Sequence, residues 1–134
     1  MFGRIAHIGI AVRDLDKSID LLAKLFDSKP KHRERVEDQR VNSAMFSFGE
    51  TSVELLEPTA PESSIAKFIE KRGEGMHHIS FLVDDIVGEL ARLKNSGFQL
   101  IDERPRKGAD NCLVAFVHPK SANGVLIEIS QKLR

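Results

Sequence analysis

The stretch AHIGIAVRDL, from Ala6 to Leu15, returns as HHISFLVDDI, from His77 to Ile86. With His7 laid over His78, an offset of 71 (78 − 7), each copy has a histidine, an isoleucine, a small residue, an apolar run and an acidic residue before an aliphatic one. A repeat inside 134 residues limits the fold first, because both halves must form the same supersecondary unit. The offset persists: Leu15, Ile19 and Leu22 map onto Ile86, Leu90 and Leu93. Spacings of i, i+4 and i+7 put each trio on one helical face. Asp14 and Asp85 also coincide, where a carboxylate can cap free N–H groups and meet the positive helix end.

Each half is therefore expected to open with a strand, over 5–12 or 76–83, followed by a helix over about 15–26 or 86–96. VNSAMFSFG (41–49) and TSVELLE (51–57) read as strands meeting around Gly49. CLVAFVH (112–118) and VLIEIS (125–130) read as strands joined by PKSANG, whose Asn123-Gly124 is a turn signal. HRERVEDQR (32–40) mixes charges and reads as an exposed strand or loop. Between the halves, about 61–73, a linking helix places Ile65, Phe68 and Ile69 on one face and ends at Gly73 or Gly75. The chain is thus predicted to be a single α+β domain of two tandem β-α-β-β(-β) modules, about 1–60 and 74–134, related by a pseudo-twofold. Helices lie on one face of a mixed sheet, and the other face is left to pack or bind.

Composition narrows the function. Twenty Lys and Arg balance twenty Asp and Glu, leaving no electrostatic footprint for nucleic acid or an anionic membrane. Cys112 is the only cysteine, which excludes an internal disulfide framework and a thiolate metal knuckle. No apolar run approaches bilayer length and the start lacks a signal-peptide pattern, so a cytoplasmic protein is expected.

Period-two alternation says which face the histidines take. His7 shares a side with Ile5, Gly9 and Ala11, while Ala6, Ile8, Ile10 and Val12 share the other. His78 and Ser80 lie opposite Ile79, Phe81 and Val83. Both histidines have small neighbours, which leaves room for something beside them; His77 points the other way. Glu54 in SVELLE and Glu128 in LIEIS sit among aliphatics in strands that should be buried, where an isolated carboxylate is costly unless paired or metal-bound. Repeat symmetry makes two histidines and two glutamates able to converge. Imidazole nitrogen plus carboxylate oxygen suits a divalent metal such as Co, Ni, Mn, Fe or Zn. The bland alternative is four core residues with ordinary hydrogen-bond or arginine partners.

HIGIAVRDLDKSI, VELLEP, SSIAKFIEKRGEGMHHISFLVDDI, GFQLIDERPRKGA and FVHPKSANGVLIEI together resemble, end to end, the methylmalonyl-CoA epimerases of the vicinal oxygen chelate superfamily. The resemblance implies paired βαβββ modules wrapping a metal in a cup-shaped sheet, with His7, Glu54, His78 and Glu128 as ligands. Some epimerases carry glutamine at the Glu54 position. It also implies a homodimer, an acyl-CoA substrate, and a reaction that removes and returns an α-proton through a metal-stabilised enolate. Glu128, with Glu54 as the second candidate, then carries the proton. Ser43 stands where at least one member has a glutamate proposed as a second acid/base, and a serine is a poor proton acceptor. For the anionic coenzyme, Arg104, Arg106 and Lys107 in a Pro/Gly loop and Lys120 and Ser121 in a turn are the candidates. A solvated basic loop is the alternative for these five. Two other functions suit the same fold: a glyoxalase-I-type lyase acting on a glutathione hemithioacetal, and a ligand-sequestering resistance protein that needs the cup but no metal.

Overall fold

The computed structural model describes residues Met1–Arg134. Clustered by contacts, the chain divides into two compact units, His7–His77 and Met1–Ala6 with His78–Arg134. Each is built on one βαβββ pattern. The first runs β1 (Ile5–Ala11), α1 (Leu15–Phe26), β2 (His32–Val36), β3 (Val41–Phe48) and β4 (Thr51–Pro58). After the helix α2 (Ser64–Arg72), the second runs β5 (Gly75–Leu82), α3 (Ile86–Asn95), β6 (Arg106–Lys107), β7 (Cys112–Val117) and β8 (Ile127–Lys132).

In the first unit the strand order is β2-β3-β4-β1, antiparallel except for the parallel pair β4/β1. Alternation sends Ala44, Phe46 and Leu55 to one face, where they bury against Leu15, Ile19, Leu22 and Phe26 of α1. The order in the second unit is β5-β8-β7-β6, with β5/β8 parallel. There Ala115, Val117 and Ile129 pack with Ile86, Leu90 and Leu93 of α3. Both apolar trios read from the repeat are the core-facing stripes of their helices.

The caps repeat as well. Asp14 accepts from the Lys17 N–H at 3.1 Å, and Asp85 from the Gly88 N–H at 3.0 Å. The first helical N–H groups go to the last strands: Leu15 N–H donates to Glu57 and Ile86 N–H to Gln131, each at 2.8 Å. Four otherwise orphaned donors are thereby satisfied in the same way twice.

Some elements differ from expectation. The final strand begins at Ile127 rather than at 125, because a 3₁₀ turn (Pro119–Ser121) and a corner at Asn123 and Gly124, two residues at positive φ, delay it. Val125 N–H is still spent on Ala122 O. The basic loop contains the short strand β6, and 32–40 divides into β2 and a 3₁₀ turn at Glu37–Gln39. The chain start pairs with the second unit: Gly3 N–H donates to Leu82 O at 2.8 Å and Leu82 N–H to Arg4 O at 2.9 Å. No helix is long and apolar enough to cross a membrane.

Buried Glu89 on α3 accepts two hydrogen bonds from Arg92, both at 3.2 Å, and these chiefly hold its carboxyl below the usual carboxylate range against the burial that would raise it. A lowered folded-state value stabilises above the unfolded value of about 4.3 and is lost as pH falls through the folded one. Arg92→Ala is therefore expected to lower the urea midpoint at pH 7. The gap from the parent should close below about pH 4; a gap independent of pH would assign the loss to packing of the arginine stem instead.

Candidate active site

Parallel pairing sets the two histidines and two glutamates at one register in both units. In the first, Gly9 is the Cα partner of Glu54; in the second, Ser80 is the partner of Glu128. Each histidine stands two residues before that partner, on the same strand face. His7 Nε2 lies 3.3 Å from Glu54 Oε1, with side chains 12% and 4% exposed. His78 Nε2 lies 3.8 Å from Glu128 Oε2, both 3% exposed. The first is within hydrogen-bond range and the second is a close ion-pair distance.

The surroundings explain the choice of residues. Ile10 and Val12 reach the α1 core, so the alternate side of β1 keeps His7 with Gly9 and Ala11. Ser80 Oγ donates to Ser130 Oγ at 3.2 Å beside the second pair, and Phe116 meets the His78 ring edge-on at 5.6 Å. His77 turns to the other side of β5, edge-on against Phe68 of α2 at 5.0 Å. Buried carboxylates of this kind need a proton, a donor or a cation as compensation. Imidazole–carboxylate pairs are a chemically suitable donor set for a divalent ion of intermediate softness.

The five candidate coenzyme contacts all lie in the second unit. Arg104 is exposed in the loop before β6. Arg106, opposite Val114, approaches Asp102 at 3.5 Å; Lys107 is opposite Leu113. Lys120 is exposed and its N–H donates to His118 Nδ1 at 3.0 Å, so that histidine serves as a turn cap. Ser121 Oγ accepts from Gln99 N–H at 2.8 Å, which ties it to the backbone.

Two further groups on the His7–Glu54 face escaped the sequence reading. Glu34 is the cross-strand partner of Ser43, and His32 that of Met45, while Met45 is the partner of Glu54. His32, Glu34, Ser43, Met45 and Glu54 therefore project to one side of the sheet. The alternation in HRERV, with Arg33 and Arg35 on the opposite side, was the available signal.

The family model of the glyoxalase/bleomycin resistance protein/dioxygenase superfamily matches residues 6–116. The ethylmalonyl-CoA/methylmalonyl-CoA epimerase of Cereibacter sphaeroides is 35% identical over 98% of this chain and 99% of its own length. The chain belongs to the methylmalonyl-CoA epimerase family of that superfamily. The human mitochondrial methylmalonyl-CoA epimerase is 34% identical over 96% of this chain and 74% of its own length. A Streptomyces coelicolor methylmalonyl-CoA epimerase variant in complex with 2-nitronate-propionyl-CoA superimposes at a TM-score of 0.96, 34% identical, over 100% of both chains. A methylmalonyl-CoA epimerase in complex with methylmalonyl-CoA and NH4+ is 35% identical with a TM-score of 0.92, covering 98% of this chain and 96% of that one. Two tandem βαβββ modules of the vicinal oxygen chelate type are thus the fold of this epimerase-family enzyme.

Proposed function

We propose that this protein epimerises methylmalonyl-CoA by removing the α-proton of the thioester and returning it from the opposite face. The observation that carries the reading is the same buried His–Glu pair at the same register in both modules. The substrate comes from the relatives, whose family this chain shares over nearly its full length.

The two modules act as one domain in this reading, and His7, Glu54, His78 and Glu128 hold a divalent metal, with Co, Ni, Mn and Zn as the candidates. Two imidazoles and two carboxylates fit such an ion in donor type and in charge, since the carboxylates balance it. When bound, the ion supplies positive charge that stabilises the negative charge developing on a thioester oxygen. The chain's own groups do the rest. Glu128, 3.8 Å from His78 and buried, takes the α-proton, with Glu54 as the second candidate. Small neighbours Gly9, Ala11 and Ser80 leave space for the acyl group, and burial of both pairs limits bulk water around the developing enolate. Arg104, Arg106, Lys107 and Lys120 meet the anionic coenzyme, with Ser121 beside them. Ser43 is buried and its hydroxyl donates to Glu34 O at 3.4 Å, so it takes no part as a base. The reading includes a cytoplasmic homodimer, which sedimentation at micromolar concentration tests.

Activity of metal-reconstituted protein on each enantiomer of methylmalonyl-CoA, run beside the methylglyoxal–glutathione adduct, decides the function. Interconversion of the thioester enantiomers is expected. Turnover of the adduct alone assigns a lyase instead, and binding without turnover of either assigns a sequestering protein.

A further inference from the structure

Inversion at a carbon needs proton transfer on two faces, and the four groups placed above are gathered about one pair of strands in each module. The first unit carries one more carboxylate on the same sheet face. Glu34 on the edge strand β2 is paired with Ser43, two residues along β3 from Met45, the partner of Glu54. Two strand spacings and a two-residue offset put the backbones of Glu34 and Glu54 about 12 Å apart. A small acyl group held beside the buried groups and lying over β3 would have Glu34 on its far side. The orientation of β2 is fixed from its back: Arg33 reaches Asp16 of α1 at 2.9 Å, on the helix-covered side, which turns Glu34 to the other.

Glu34 also has a path to solvent. Its Oε1 lies 2.8 Å from His32 Nε2, and the two side chains are 29% and 46% exposed. A carboxyl in this position can exchange its proton with water through an imidazole after each turnover. The second module has no counterpart acid. The residue at the equivalent pairing, opposite Val114, is Arg106.

We infer that Glu34 is a catalytic residue, the acid/base that serves the second face of the α-carbon, with His32 relaying its proton to solvent. This rests on the epimerase reading. In one direction the buried carboxylate takes the α-proton as the C–H bond breaks. The Glu34 carboxylic acid then gives its proton to the opposite face of the enolate, and a new C–H bond forms as the Glu34 O–H bond breaks. In the other direction Glu34 removes the proton and the buried group returns one. No redox partner is needed.

The test compares epimerisation with deuterium wash-in from D₂O for each enantiomer separately, in the parent and in Glu34→Gln. The parent must interconvert the enantiomers; if it does not, the epimerase reading itself fails and this assignment with it. Given an active parent, Glu34→Gln is expected to lower epimerisation roughly 10²–10⁴-fold. Wash-in to the enantiomer deprotonated by the buried base should persist within a few-fold, and wash-in to the other should fall with epimerisation. Parent-rate epimerisation overturns the assignment, and so does equal loss of exchange from both enantiomers or equal retention in both. Glu34→Asp supplies a second measurement on the same partially exposed edge position: a carboxylate one methylene shorter should recover part of the epimerisation lost in the glutamine variant.

Discussion

Dialysis against a strong chelator is expected to end turnover and to lower the melting temperature, with Co, Ni, Mn or Zn restoring both. An ion that binds only the folded chain stabilises it by about 2.7 kcal/mol at a hundred times its dissociation constant. For a domain of this length that corresponds to a shift on the order of 10 °C. Removing single ligands should give the same sign. His7→Ala and His78→Ala are each expected to lose bound metal, measured by elemental analysis of the purified protein. His77→Ala, whose ring packs on Phe68, should keep it, and so should His118→Ala, since that histidine caps a turn. Metal loss in His77→Ala alone would reverse the face assigned to β5. Active parent protein without stoichiometric metal would end the metal reading, leaving the buried carboxylates to be compensated by protons or donors.

The repeat was legible because it is written in local spacing. Apolar residues at i, i+4 and i+7 locate both helices, and Asp14 and Asp85 mark where they start. The period-two rule then assigns His7 and His78 to the face away from the cores, as the packing of Ile10, Val12 and Val83 requires. What stayed illegible depends on pairing between distant strands. Nothing local says that Gly3 and Arg4 bond to Leu82, or that Arg106–Lys107 pairs with β7. Glu34 shows the limit most clearly. A shift of 71 lays it over Pro105, whereas the pairing opposite Ser43 and Val114 makes Arg106 its counterpart, a slip of one residue between the edge strands. Only the cross-strand register brings that carboxylate to the face of Glu54.

Glu128→Gln is expected to keep most of the metal and lose most of the rate. An amide oxygen can still face the ion, but an amide cannot accept the α-proton, so turnover should fall roughly 10²–10⁴-fold. Both enantiomers pass through the same enolate, and the pattern of deuterium wash-in distinguishes the two carboxylates. If Glu128 is the buried base, its loss should suppress exchange of the enantiomer that survives in Glu34→Gln, and spare the enantiomer that does not. The two variants should therefore be mirror images in exchange while both fail to invert. Ser43→Ala should change little, since its hydroxyl is committed to the Glu34 carbonyl and is no base near neutral pH. A metal-replete Glu128→Gln protein that exchanges both enantiomers at the parent rate would remove Glu128 from the proton path. Glu54, 3.3 Å from His7 and equally buried, would then take that place.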